Sequence, residues 1–388
     1  MQRFAFIFVL LMLLPDIYIY FAHIQRLNQN LAVKLCWFLP TLILMVVYFI
    51  VTVLDHNALS THQTLLANLS TWMITLGLSK LLFIPFSLLG WLISWISKGH
   101  IPSGPFLWAA ALMSALTLVV IVIGRFWGIR YYQVKQVTVQ SARVPKGFDQ
   151  YRIVQISDMH TGSFEGRQED VKKLVEKINS LEADLVVFTG DLVNARAQEA
   201  EAVSDLLRDI HARDGVYSIL GNHDYGTYFN WESPREQVTN LQRLKDVEAS
   251  MGWRMLSNDN VILRHGSDSI ALIGVENAGK APFPDFSDLD KAVKGTEGMY
   301  RILLSHDPTH WEREVLPQTD IDLTLSGHTH ATQLRIGGFS PSRWVYKQWA
   351  GLYEKAGRML YVNSGIGYVG IPFRFGAWPE ITLLTLSE

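Results

Sequence analysis

Two patterns of hydrophobic and polar positions divide the chain near residue 130. Before it, apolar residues run on for a helix length at a time, at Phe4–Phe21, Leu35–Leu54, about Trp72–Ile96 and Phe106–Gly124. Each is near the roughly 20 residues needed to cross a hydrocarbon layer of about 30 Å. After it, the apolar runs shrink to strand length, at Arg152–Ile156, Asp184–Phe188, Val216–Leu220, Met299–Leu304 and Ile321–Leu325. Helical patterns at Gln168–Ser180, Ala197–Arg213 and Pro234–Met251 alternate with these runs, and further strands without helices between them crowd Val261–Leu263, Ser269–Val275, Met359–Val362 and Ile381–Leu386. Tyr131–Val139 alternates apolar and polar residues and predicts a leading strand, followed by a Pro145-Lys146-Gly147 turn. The pattern predicts an all-α transmembrane region over residues 1–127, a linker and leading strand over 128–150, and a layered α/β domain over 151–388.

Four spans are expected in the first part, and three remain an open alternative. Lys80 and Pro85 interrupt the third run, and Asp16 follows Pro15 in the first. Trp37, Trp72, Trp91, Trp95, Trp108 and Trp127 fall near several proposed ends, where indole rings anchor at the interface. After Leu14 the chain continues Pro15-Asp16-Ile17-Tyr18-Ile19-Tyr20 instead of a small-residue cleavage site, so the first span is expected to be retained. An even number of spans puts Arg3, Arg125, Arg130 and Lys135 on one side against Arg26, Lys34 and Lys98, which leans toward a cytoplasmic second domain without deciding it. A net charge of −2 over 388 residues, with no long basic block, gives no case for nucleic acid as a partner. The single cysteine, Cys36, excludes an intrachain disulfide and a thiolate metal cluster.

Chemistry concentrates where the short runs end. Asp158-Met159-His160, Gly190-Asp191, Gly221-Asn222-His223-Asp224, Ser305-His306 and Gly327-His328-Thr329-His330 each follow one of the predicted strands. Alone, a D-x-H or a Gly-Asp pair is a common turn sequence. Gly221-Asn222-His223-Asp224 is more specific, since four polar or turn-forming residues abutting a strand make a poor core. The ordered set reads as one dinuclear metal site, with the donors held at strand ends because sheet edges fix side chains better than free loops.

These motifs, over roughly Tyr151 to Leu386, resemble those of the calcineurin-like metallophosphoesterase superfamily. The resemblance implies a four-layer αββα sandwich with metals at one edge. It implies that Asp158, His160 and His330 hold a first ion, that Asn222, His306 and His328 hold a second, and that Asp191 bridges both. It further implies that His223 faces the substrate, as a phosphate contact or as a proton donor to the leaving oxygen, with Asp224 orienting its ring. Tyr361-Val362-Asn363-Ser364-Gly365-Ile366-Gly367 and Trp378-Pro379-Glu380-Ile381 resemble the bacterial membrane-associated branch, some relatives of which cleave the pyrophosphate of UDP-2,3-diacylglucosamine.

No Ser, Cys or Lys sits in a base-activated arrangement, so water is the expected nucleophile. Two cations about 3.5–4 Å apart lower the pKa of a shared water and stabilise the entering and leaving oxygens. Nitrogen and oxygen donors without thiolate favour Mn, Fe, Zn or Co for the two divalent ions. The expected activity is hydrolysis of phosphoester or pyrophosphate bonds, and the alternative is a membrane sensor or scaffold that binds a phosphorylated ligand without turnover. Two segments predict the substrate face: Tyr225–Trp231, with Tyr225, Tyr228, Phe229 and Trp231, and Gly337–Arg358, which interleaves Arg343, Lys347, Lys355 and Arg358 with Trp344, Tyr346, Trp349 and Tyr353. Rings beside cations suit a phosphorylated, lipid-linked substrate at a bilayer surface. His211, His265 and His310 are read as structural, with His310 near the site by its helical spacing from His306.

Overall fold

The computed structural model describes residues 2–27, 30–55, 57–281 and 283–388. The chain divides into two units, residues 1–127 with 370–373, and residues 128–369 with 374–388.

The first unit is helical: α1 (Gln2–Ile19), α2 (Leu31–Leu54), α3 (Gln63–Ile96) and α4 (Gly104–Phe126). Three of these, α2, α3 and α4, are long and apolar enough to cross a membrane, and most of their side chains face outward, as a lipid-facing surface requires. The first helix is shorter, carries Pro15 and continues into a π-helical turn at Tyr20–Ile24. The third helix starts well before the expected Trp72. Its first turns hold Asn68, Ser70 and Thr71, which lower hydropathy without breaking a helix. Thr71 and Thr75 donate back to the carbonyls of Ala67 and Thr71 at 2.7 Å, so their hydroxyls stay satisfied in an apolar bundle.

A charged contact joins three of these helices. Lys80 on α3 pairs with Asp16 on α1, reaches Thr41 Oγ1 on α2 at 3.3 Å, and lies 4.9 Å over the ring of Trp37. The Trp37 indole in turn donates to the Asp16 carbonyl at 3.0 Å. Charges in such surroundings persist only when paired.

The second unit is built on two six-stranded mixed sheets. One runs β1 (Gln133–Gln140), β12 (Glu380–Ser387), β2 (Arg152–Ile156), β3 (Leu185–Phe188), β4 (Val216–Ser218) and β5 (Arg254–Met255). The other runs β10 (Gly351–Lys355), β11 (Arg358–Val362), β9 (Leu323–Ser326), β8 (Tyr300–Leu304), β7 (Asp268–Gly274) and β6 (Asp259–His265). Strands β2, β3 and β4 pair in parallel, as do β7, β8, β9 and β11.

Period-two alternation splits each strand between two cores. Ile153, Leu185 and Val187 meet Tyr300, Ile302, Leu304, Leu323 and Leu325 between the sheets. Their neighbours Val154, Ile156, Val186 and Phe188 face outward onto Val171, Leu174, Val175 and Ile178 of α5 (Gln168–Asn179) and Leu244 and Val247 of α6 (Pro234–Ser250). On the far face of the second sheet, Ile273 and Leu303 pack with Trp311 and Val315. The layers are therefore helix, sheet, sheet, helix, the expected αββα sandwich.

One local expectation fails. Ala197–Arg213 forms two short helices, Ala197–Glu201 and Ser204–Leu207, because Val203 leaves the helical region (φ −130°, ψ 0°) as its side chain turns into the core. The segment Gly337–Arg358, expected to line the substrate face, ends in the β10–β11 hairpin. Strand β10 is an edge with partly exposed side chains on both faces, so it carries no amphipathic signal.

Candidate metal centre

The donors leave the C-terminal ends of strands from both sheets. Asp158 follows β2, Asp191 follows β3, Asn222 follows β4, His306 follows β8 and His328 follows β9. Five of them take left-handed backbone: Asp158 (φ 50°), His160 (46°), Asp191 (61°), His328 (72°) and His330 (50°). Such conformations are uncommon outside glycine and cost energy that surrounding contacts must offset, which is typical of functional sites. Two glycines make the convergence possible: a Cβ on Gly327 would collide with Ser157 Oγ and Asp158 Oδ2, and one on Gly221 with Asp191. No other residue fits there.

Two groups of side chains could each hold a metal ion, Asp158 with His160 and His330, and Asp191 with His306 and His328. In the first, His160 Nε2 lies 3.1 Å from His330 Nε2, which lies 3.3 Å from Asp158 Oδ1. In the second, His306 Nε2 lies 3.1 Å from Asp191 Oδ2. The same Asp191 oxygen is 3.7 Å from His160 Nε2, so one carboxylate faces both groups. Asn222 Oδ1 is buried without a hydrogen-bond partner. An orphaned buried acceptor is costly, and this lone pair, together with His306 Nε2 beside the Asp191 carboxylate, fits a divalent cation.

Burial sets the charge state. It pushes the imidazoles of His160 to about 3 and His328 to about 4, each helped by neighbouring imidazoles, and it drives His330 well below its usual range. These rings are neutral, as metal ligands must be. His306 is the exception: burial works against its cation, yet Asp191 and Asp158 raise it to about 10. Asp191, although burial opposes ionisation, is held far below the carboxylate range by His306 and His223.

His223 lies beside the donors, its ring 4.8 Å from that of His160. Its Nδ1 is 2.8 Å from the Asn194 carbonyl, which can only accept, so Nδ1 carries the proton and Nε2 is left free. The expectation that Asp224 orients this ring is corrected. Asp224 is fully buried and accepts from four main-chain amides, those of Asp191, Leu192, Val193 and Gly221, at 2.8–3.1 Å. Burial and the nearby Asp191 push its carboxyl up to about 7, and the amides oppose that rise. Its carboxylate ties the loop after β3 to the loop after β4, and the ring-orienting contact falls to Asn194 instead.

Both aromatic segments reach the donors. Tyr228 stacks on His223, with centroids 4.2 Å apart, and its hydroxyl accepts from Asn222 Nδ2 at 2.8 Å. The Tyr346 hydroxyl lies 3.0 Å from His328 Nε2, and Phe283 meets the same ring edge-on at 4.7 Å. His310 is buried one contact away, its Nδ1 2.9 Å from Ser305 Oγ. Arg374 gave no warning in the sequence. Fully buried, it donates to the carbonyls of Gly367, Ser364 and Ala377 and, from Nη2, to His330 Nδ1 at 2.9 Å. Its position past the last motif, in a Gly-rich loop, offered no periodic or charge signal.

A family profile described as Calcineurin-like phosphoesterase matches residues 151–332, and one described as Probable Calcineurin-like phosphoesterase, transmembrane domain, matches residues 2–129. The protein named Uncharacterized metallophosphoesterase YkuE from Bacillus subtilis is 32% identical over 65% of this chain and 84% of its own. Transmembrane protein with metallophosphoesterase domain from Bos taurus is 32% identical over 71% of this chain, and the match spans 62% of the bovine protein. UDP-2,3-diacylglucosamine pyrophosphatase LpxG from Chlamydia trachomatis is 27% identical over 64% of this chain and 88% of its own. The transmembrane match covers the apolar helices, and the chain is a membrane protein.

Proposed function

Because this chain belongs to the calcineurin-like phosphoesterase family, we propose that it is a membrane-anchored hydrolase that works with two divalent metal ions on a phosphorylated, lipid-linked substrate. The observation that carries this reading is the pair of donor groups meeting at one Asp191 carboxylate. Asp158, His160 and His330 would hold one ion, Asn222, His306 and His328 the other, and Asp191 both. Bound there, Mn, Fe, Zn or Co supplies a water nucleophile at neutral pH and neutralises charge on the phosphoryl oxygens.

The chain's own residues do the rest. Asn194 holds the His223 ring by Nδ1, which leaves Nε2 as the atom that would pass a proton to the leaving oxygen. Tyr228 keeps that ring in plane by stacking. Asp224 holds the loops that carry Asp191 and Asn222 together through main-chain amides.

Support for a lipid-linked substrate comes from the apolar helices and from the likeness to a UDP-2,3-diacylglucosamine pyrophosphatase; that compound or a related pyrophosphate is the candidate. Arg125 in the last turn of α4, with Arg130 and Lys135 after it, supports a cytoplasmic catalytic face, and the transmembrane profile over residues 2–129 supports α1 as a fourth span. Purified protein reconstituted with Mn²⁺ or Zn²⁺ is expected to cleave a chromogenic phosphomonoester or diester, and Asp191→Asn to abolish the cleavage. Cleavage of neither ester, with no effect of Asp191→Asn on any activity found, sinks the reading.

A further inference from the structure

The contacts behind the donors differ between the two groups. A metal ligand must present a chosen lone pair, and for Asn and His that choice is made by whatever engages the side chain's other polar atom. His306 is set by the main chain, its Nδ1 2.7 Å from the Thr189 carbonyl at the end of β3. His330 Nδ1 accepts from Arg374, itself locked by three carbonyls, a contact that holds the ring but leaves the neutral imidazole's proton on Nε2. Asn222 and His328 are set differently, each by a phenol from a loop. The Tyr228 hydroxyl accepts from Asn222 Nδ2, which leaves Oδ1, buried and without a partner, as the amide's ligand atom. The Tyr346 hydroxyl engages His328 Nε2 and leaves Nδ1 as the ring's remaining donor atom.

We propose that Tyr228 and Tyr346 are positioning residues for one metal position only, the one formed by Asn222, His306 and His328, and that its occupancy depends on both loops holding their phenols in place. The inference rests on the dinuclear reading above. Without the Tyr228 hydroxyl, Asn222 Nδ2 loses this partner, and the amide is freer to rotate its NH₂ toward the cation position. Without the Tyr346 hydroxyl, the His328 ring loses the partner that fixes its tautomer and tilt. Partners of this kind alter metal affinity by about 10–100-fold. Tyr228 is 47% exposed, so its ring is also open to an arriving substrate.

The test is a Co²⁺ titration of the metal-stripped full chain in detergent, followed by visible absorption and by metal content, on the wild type, Tyr228→Phe, Tyr346→Phe and Tyr225→Phe. Tyr225 lies on the same loop as Tyr228, but its hydroxyl contacts Glu276 and the Asn277 amide and no candidate ligand. The expected result is two equivalents for the wild type and for Tyr225→Phe. Tyr228→Phe and Tyr346→Phe are expected to bind the first equivalent normally, which reports an intact fold, and the second about 10–100-fold more weakly. A second equivalent bound as in the wild type by either variant removes that tyrosine from the role, and an equal loss in Tyr225→Phe overturns the proposal as a loop effect. A wild type that takes up fewer than two equivalents overturns the dinuclear reading itself.

Discussion

His223 and Asp224 are neighbours in sequence and opposites in use, and two substitutions separate them. The His223 side chain meets the candidate centre only through ring contacts, and its main-chain amide, which donates to Asp191 Oδ1 at 2.8 Å, survives truncation, so His223→Ala is expected to lower turnover by about 10²–10⁴-fold while metal content, read by mass spectrometry, stays at the wild-type level. Loss of an ion in that variant would make His223 a ligand instead. Asp224→Asn replaces an acceptor-only group with an NH₂ facing main-chain N–H donors. Charge-assisted hydrogen bonds of this kind contribute about 1.5–3 kcal/mol each, so thermal unfolding should show a clear loss of stability, with metal content falling as Asp191 and Asn222 separate. An unchanged melting temperature would count against the tie between loops. The candidate donors could be picked out in the sequence because each lies in the short polar stretch that follows an apolar strand-length run. The duty of Asp224 could not be, since it depends on three successive amides, those of residues 191–193, turning inward together.

At the scale of elements, α6 carries a charge problem. Glu248 sits fully buried on this helix, bonded to the Ser218 hydroxyl of β4, and burial pushes its carboxyl from 4.5 up to about 8. Its folded pKa is raised, so between those two values the native chain holds a proton that the unfolded chain has released. Stability from this group is complete below about 4.5, falls by up to about 1.4 kcal/mol per pH unit through the window, and is flat above about 8. Glu248→Gln is expected to melt higher relative to the wild type at pH 8 than at pH 5, and a pH-independent difference would show that Glu248 is ionised in the fold. Helices α5 and α6 were legible from periodicity because one face of each is buried against a sheet. The start of α3 was not, because hydroxyls that bond their own helix look polar in a hydropathy pattern and behave as apolar in the bundle. Strand β10 was hidden for the converse reason, having no buried face to pattern.

For the whole molecule, the apolar helices and the α/β unit make one expectation together. A tethered domain meets bilayer-resident substrates at millimolar-scale effective concentration, and a soluble nucleotide gains nothing from the tether. The full chain in vesicles should therefore cleave a lipid-linked pyrophosphate faster than a chain beginning at Tyr131 does, while both cleave a nucleotide pyrophosphate alike; equal rates on the lipid would remove the helices from catalysis. The division into two parts was plain in the sequence, since helix-length apolar runs simply stop near residue 130, but the contact between Asp16 and Lys80 was not, because nothing in either run names its partner. That contact also imposes a schedule on biosynthesis. The two residues are 64 positions apart, and at synthesis rates of about 5–20 residues per second Asp16 is added to the chain roughly 3 to 13 s before Lys80 exists. During that interval the Asp16 carboxylate lacks the cation it pairs with in the fold, so the first helix gains this contact only when the third arrives to receive it.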